Sequence, residues 1–209
     1  MRAVNKRALD HLRADPVMAK LINRVGPAKL QPRRLPPFES LVHAIIHQQL
    51  NAKAAGTILG RFRALFGGDA FPTPQAVLGA PPERLRSAGL SGPKSGYILG
   101  LAQQAAAGLI PTLPQCDGMT DDQLLERLTG IKGIGRWTAE MLLIFNLGRP
   151  DVLPVHDLGV RKGFQLAYRK QKLPEPEQLG RFGARWAPYR TTAAWYLWRA
   201  ADFLDGDGW

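Results

Sequence analysis

Apolar residues recur along this chain at intervals of three and four rather than in alternation, which is the period of helices that bury one face. Stretches rich in alanine and leucine keep that period at residues 4–14, 38–49, 52–66, 82–88, 93–108, 121–128, 136–147, 157–168, 176–183 and 188–204. Proline and glycine punctuate them at Pro32 to Pro37, Gly67-Gly68, Pro72 to Pro74, Ala80 to Pro82 and Pro111 to Pro114. No alternating run persists long enough to predict a strand, and no internal repeat or low-complexity tract interrupts the pattern. An all-α fold is expected. The break Pro111 to Gly118 is the expected boundary between two lobes, residues 31–117 and 118–180, and the tail Asp205 to Trp209 is expected to be loose.

The segment Leu128 to Asp157 carries the most chemistry. Thr129-Gly130-Ile131-Lys132-Gly133-Ile134-Gly135 places glycines where a chain turns tightly and where backbone approaches a ligand without a Cβ in the way. From Arg136 onward Trp137, Met141, Leu142, Ile144 and Phe145 recur at helical spacing, so a helix starts just after Gly135. Bare amides opening into a helix N-terminus attract anions, and Lys132 and Arg136 add positive charge. Phosphate is the natural partner. A loop bearing Pro150 and Pro154 then ends at Asp157, just before the helix expected from Leu158 to Tyr168. An aspartate there is either an N-cap worth around 1 kcal/mol or a catalytic carboxylate, and the local residues alone leave both open.

Composition narrows the class of partner without choosing a reaction. The 209 residues suffice for one large domain or two small lobes. A net charge of +11 and a pI near 10.3 suit a polyanion. The single Cys116 excludes a disulfide framework and a four-cysteine iron–sulfur cluster, so a reducing compartment is expected. No apolar run of about 18 residues or more occurs, nor a cleavable apolar segment near Met1, so a soluble, intracellular protein is expected. Gly130, Gly133 and Gly135 have the wrong order and context for a dinucleotide fingerprint. His43 and His47 share a helix face, but no Glu or Cys accompanies them as a further ligand, and they read as packed histidines.

Gly133-Ile134-Gly135-Arg136-Trp137-Thr138-Ala139, with Gly130 before it and Pro150, Pro154 and Asp157 after it, resembles the helix-hairpin-helix, Gly/Pro-rich-loop, Asp (HhH-GPD) superfamily of base-excision DNA glycosylases. Lys132 departs from the proline usual at its place. The run from Phe38 to Asn51 and the run from Gly89 to Ile98 resemble landmarks of the alkylpurine (3-methyladenine) branch. With Tyr189-Arg190 and Trp195 to Trp198, the resemblance covers about residues 35–205. It implies two helical lobes flanking a DNA-binding and base-binding cleft. Residues 1–30 would supply a helix packing on the second lobe, and 181–209 a helix returning to the first. The mixed α/β amino-terminal domain of larger bacterial relatives is not expected.

The same resemblance assigns roles. It makes Asp157 the catalytic carboxylate, which capping does not preclude. Trp137, Trp198 and Met141 become the base pocket, where a cationic alkylpurine stacked on indole gains on the order of 1–3 kcal/mol; Tyr97 and Phe38 are weaker aromatic candidates. Members that cut the strand carry a lysine where Trp137 stands, so no lyase activity is expected. Gln48, Gln49 and Leu50 are implied as the wedge that fills the gap behind an extruded base. Lys132, Gly133, Gly135, Arg136 and Thr138 are implied as contacts to the DNA backbone, and Lys94, following the helix start Ser91-Gly92-Pro93, is held to join them. The backbone carbonyls of Thr129, Ile131 and Ile134 are implied to hold a structural monovalent cation, Na+ or K+, while catalysis needs no cofactor. The expected protein is a monomeric, monofunctional glycosylase that removes alkylated purines from double-stranded DNA. The alternatives are a glycosylase for another damaged base, which would need an acid partner for Asp157 that the sequence does not offer, and a non-catalytic helix-hairpin-helix protein that binds DNA structure.

Overall fold

The computed structural model describes residues 6–207, and within them the secondary structure is helical with no strand. In chain order the helices are α1 (Lys6–Leu12), α2 (Pro16–Val25), α3 (Pro37–His47), α4 (Ala52–Ala64), α5 (Pro74–Leu78), α6 (Pro82–Ser87), α7 (Gly92–Ala106), α8 (Leu113–Gly118), α9 (Asp121–Thr129), α10 (Arg136–Met141), α11 (Leu158–Ala167), α12 (Pro176–Gly183) and α13 (Arg190–Asp207). A π-helical turn, Leu142–Leu147, continues α10, and a 3-10 turn, Ala184–Trp186, follows α12. No helix among the described residues is long and apolar enough to cross a membrane.

Side-chain caps start six of the helices. Asp15, Asn51, Thr73, Ser91, Thr120 and Asp157 each accept a backbone N–H of the first turn they precede. Proline occupies the first turn of α2, α5 and α8, where its missing N–H costs nothing. This is why α5 and α8 were not expected from the sequence: Pro74 and Pro114 read as breaks but stand in first turns, and α2 was not expected either. Residues 4 and 5 of the expected first helix, and Trp209, lie outside the described residues. The expected loose tail is helical through Asp207.

The chain divides into two compact units, residues 34–142 and residues 1–33 together with 143–209. The boundary therefore does not lie at Pro111 to Gly118. That segment is α8, closed by a capping box between Thr112 and Gln115 and anchored by buried Cys116. The hairpin belongs with residues 34–117, because α10 packs on α3 and α9. The carboxy-terminal helix does not return to that group; α13 packs on α11 and α2.

The unit of residues 34–142 is built around α3 and α7, with Leu41, Val42, Ile45, Ile46, Phe62, Leu85, Ile98 and Leu101 fully buried. In the other unit Leu12, Met18, Leu21 and Ile22 meet Phe164, Leu179, Trp186, Tyr196 and Leu197. Asp15, at the start of α2, also accepts from Tyr168 Oη at 2.6 Å and Trp186 Nε1 at 3.3 Å. Burial, then this bond, pushes the Tyr168 phenol far above its ordinary pKa.

The closest approach in this unit is between α11 and α13. A Cβ on Gly163 would collide with the Leu197 carbonyl, and one on Gly159, a turn earlier, would lie 2.9 Å from Trp198 Cδ1. The loop before α11 is stitched to the start of α13. Asp151 accepts Arg190 Nε at 2.7 Å and Nη2 at 2.8 Å, while the Thr191 hydroxyl donates to Arg149 O at 2.7 Å and accepts from Val152 N at 2.9 Å.

Two outcomes follow from this packing. Gly163→Ala should lower stability by about 1–3 kcal/mol or more in denaturant titration, since the colliding atom is backbone and does not rotate away. Burial pushes the Asp151 carboxyl up, but its bonds to Arg190 and that charge outweigh it and hold it below its ordinary 3.8. A depressed folded pKa stabilises above the unfolded value and is lost as pH falls through the folded one. Asp151→Asn should therefore cost about 1–2 kcal/mol at pH 7, a deficit that narrows below about pH 4.

Candidate functional site

The hairpin is a turn pinned from beneath. Buried Ile131 and Ile134 anchor it, with Ile134 N–H donating to Ile131 O at 3.0 Å and Ile131 N–H to Leu128 O at 3.1 Å. Gly133 adopts φ 92°, and a Cβ there would lie 2.7 Å from the Tyr97 ring. Residues Thr129 to Gly135, with Gln48 and Tyr97, line an open depression of ≈ 530 Å³. Lys132, Gly135 and Arg136 are exposed there. Arg136 Nε also donates to Oε1 of buried Glu140 at 2.9 Å, which directs its guanidinium along α10.

Trp137 presents an indole that is 37 % exposed at the start of α10, and half-buried Met141 lies one turn on, on the same face. Two of the three expected pocket residues are thus on one surface of the hairpin's second helix, while the third, Trp198, is on α13 in the other unit.

Three expected contacts are placed otherwise. Thr138 is buried, and its hydroxyl accepts from Gln48 Nε2 at 3.2 Å, so neither side chain faces outward as a backbone contact or a wedge. Lys94 Nζ turns inward and donates to Ile46 O and Gln48 O, both at 2.8 Å, instead of facing a phosphate. Burial holds its pKa below the usual lysine value. Sequence spacing brought these residues to the right surface but carried no sign of which would satisfy one another. Gln49, at φ 57°, and Leu50, 38 % exposed, remain at the tip of the loop.

Asp157 lies in the other unit, at the N-cap of α11. Its Oδ1 accepts the Val160 N–H at 2.8 Å and the Trp198 Nε1–H at 2.8 Å. The residue caps the helix, and an indole from α13 also orients its carboxylate. Trp198 in turn packs on Phe145 with ring centroids 5.5 Å apart and planes tilted by 30°. Phe145 is carried on the π-helical turn and is 37 % exposed, and Leu158 beside Asp157 is 65 % exposed. The half-buried carboxylate thus sits near exposed apolar groups.

Sequence reading missed Phe145 as a site residue, because a helix of uniform pitch would not have marked it out from Leu142 and Ile144. It missed Gly159 and Gly163 as well. Their four-residue spacing directly after Asp157 was the readable signal of a helix prepared for close contact. A glutamate does accompany the histidines, Glu39 one turn before His43 and 3.8 Å from it, yet both pack as expected: His43 lies against the Phe71 ring and His47 Nδ1 bonds His43 O at 2.8 Å.

Residues 42–188 match the family described as HhH-GPD superfamily base excision DNA repair protein. The chain is 39% identical over 188 residues to DNA-3-methyladenine glycosylase 1 of Schizosaccharomyces pombe, covering 90% of this chain and 82% of that one. The solved structure of the S. pombe 3-methyladenine DNA glycosylase in complex with abasic DNA superposes with a TM-score of 0.84 at 39% identity, over 92% of this chain and 95% of that one. The DNA-3-methyladenine glycosidase of Bacillus halodurans superposes with a TM-score of 0.85 at 37% identity, over 97% and 94% of the two chains.

The indole bond to Asp157 yields a direct test. Trp198→Phe keeps a ring against Phe145 but removes the N–H donor. A lost hydrogen bond to a charged group is worth about 1.5–3 kcal/mol, so single-turnover base release should fall roughly 10- to 100-fold. DNA affinity in a gel-shift titration should stay within about twofold of wild type.

Proposed function

The chain belongs to the HhH-GPD superfamily of base excision DNA repair proteins, and from that premise we propose how its residues remove an alkylated purine. It is a DNA glycosylase of the 3-methyladenine type, acting hydrolytically in base excision repair. The observation that carries the chemical reading is the Asp157 carboxylate, oriented by the Val160 amide and the Trp198 indole beside exposed aromatic surface.

N3-methyladenine and N7-methylguanine carry a positive charge, so the C1′–N bond breaks with its electron pair leaving on a base that becomes neutral. The cost falls on the sugar, where an oxocarbenium-like cation develops at C1′. A fixed carboxylate stabilises that cation, and the same group orients the water whose oxygen bonds C1′ and whose proton is released. The products are the free base and an abasic site. Such a leaving group asks for no general acid. A neutral lesion would.

In this reading the extruded base stacks on Trp137, with Met141 beside it, while Gln49 and Leu50 fill the vacated stack. The hairpin amides, with Lys132 and Arg136, hold the backbone of double-stranded DNA. The carbonyls of Thr129, Ile131 and Ile134 suit a hard monovalent cation, since the turn around Gly133 gathers these residues at one depression. Such an ion would reinforce phosphate binding there. Trp137 has no nucleophilic amine, so no Schiff base forms and the strand stays intact. The protein acts as a monomer.

Chromatography of bases released from methylated duplex DNA checks the assignment. Free 3-methyladenine and 7-methylguanine should appear, and the strand should break only after alkali. Release of oxidised or deaminated bases alone would move the substrate class, and strand cutting without alkali would contradict the monofunctional reading.

A further inference from the structure

Helix α7 touches both loops that the reading above assigns to DNA, and it does so from one face. Lys94 and Tyr97 are three residues apart on it. Tyr97 lies beneath Gly133 of the hairpin, at the 2.7 Å Cβ clearance that only glycine tolerates. Lys94 reaches the other loop, where its ammonium donates to the carbonyls of Ile46 and Gln48 at the end of α3. A cation at the negative end of a helix is favourably placed, and here it spans the last turn and the residue beyond it.

The backbone that follows needs such a hold. Gln49 has φ 57°, a left-handed conformation that a non-glycine residue keeps only where its surroundings enforce it. Lys94 fixes the carbonyl immediately before it. Gln48, whose own carbonyl Lys94 holds, donates its side-chain amide to Thr138 in the first turn of α10. Lys94, Gln48 and Thr138 thus form a chain of bonds running from α7 through the wedge loop to the hairpin helix.

We propose that Lys94 is a positioning residue that aims Gln49 and Leu50 at the stack and sets their distance from the hairpin, without contacting a phosphate itself. The proposal rests on the glycosylase reading and deepens it. Its physical content is that two of the three ammonium N–H donors are spent on protein carbonyls, so the charge is used to hold backbone.

Salt dependence separates a brace from a phosphate ligand. Loss of one phosphate contact lowers the slope of log affinity against log salt by about 1, whatever the DNA. For Lys94→Met the slope on undamaged duplex should be unchanged. Its preference for a duplex with an abasic-site analogue over undamaged duplex should drop about tenfold, and single-turnover release of 7-methylguanine at saturating enzyme should slow by a similar factor. In the Leu50→Ala background the same substitution should cost much less, because it acts through that loop. Lys94→Gln, which can still donate to one carbonyl but carries no charge, should recover part of the release rate, and it keeps the test open if the methionine variant melts early. A slope lowered by about 1 with release at saturation unchanged, or full additivity with Leu50→Ala, overturns the proposal. If wild-type protein releases no alkylated base, the glycosylase reading fails instead.

Discussion

The arrangement of the unit that holds Asp157 turns on one oxygen. Asp157 Oδ1 receives both the amide that starts α11 and the indole of Trp198 on α13, at 2.8 Å each. For both to arrive, α11 and α13 must lie closer than two ordinary helices do, and Gly159 and Gly163 permit this by carrying no Cβ toward Trp198 and the Leu197 backbone. The loop from Arg149 to Val152 is then locked to the first turn of α13 by Arg190 and Thr191, which fixes where the chain enters Asp157. Helix packing, loop bonding and carboxylate orientation are one constraint seen at three scales.

A second aspartate in the same unit shows what this pattern means without chemistry. Asp15 also caps a helix and also accepts an indole N–H, from Trp186. Its other partner is the Tyr168 hydroxyl, and the rings around it, Phe164, Tyr168, Phe182 and Trp186, pack on one another as core. Asp157 instead adjoins exposed Leu158, and its indole donor Trp198 packs on exposed Phe145. Capping by an aspartate joined to a tryptophan is thus a core device at Asp15, and at Asp157 the same device stands beside exposed apolar surface.

Much of this was legible in the sequence where local chemistry is sufficient. The glycine pattern of the hairpin, the helix beginning at Arg136 and the carboxylate at the start of α11 depend on residues close in the chain, and the structure forms each of them. What escaped notice depends on contacts distant in sequence. Proline at a first helical position looks the same as proline in a linker until a neighbour packs on it, so α8 read as a boundary. Lys94, Gln48 and Thr138 looked outward because a single sequence does not show that a lysine from one helix will meet carbonyls 46 and 48 positions away. Phe145 waited on the π-helical turn that presents it.

Asn caps a helix about as well as Asp does, so Asp157→Asn keeps the N-terminus of α11 intact and alters the charge alone. Comparing single-turnover release of 7-methylguanine by this variant and by wild type therefore separates the two roles of the residue. Release should fall by at least about 1,000-fold, equal to some 4 kcal/mol of transition-state stabilisation, with DNA affinity equal or higher. Release within a few-fold of the wild-type rate would mean that Asp157 is a cap only, and that the catalytic charge lies elsewhere.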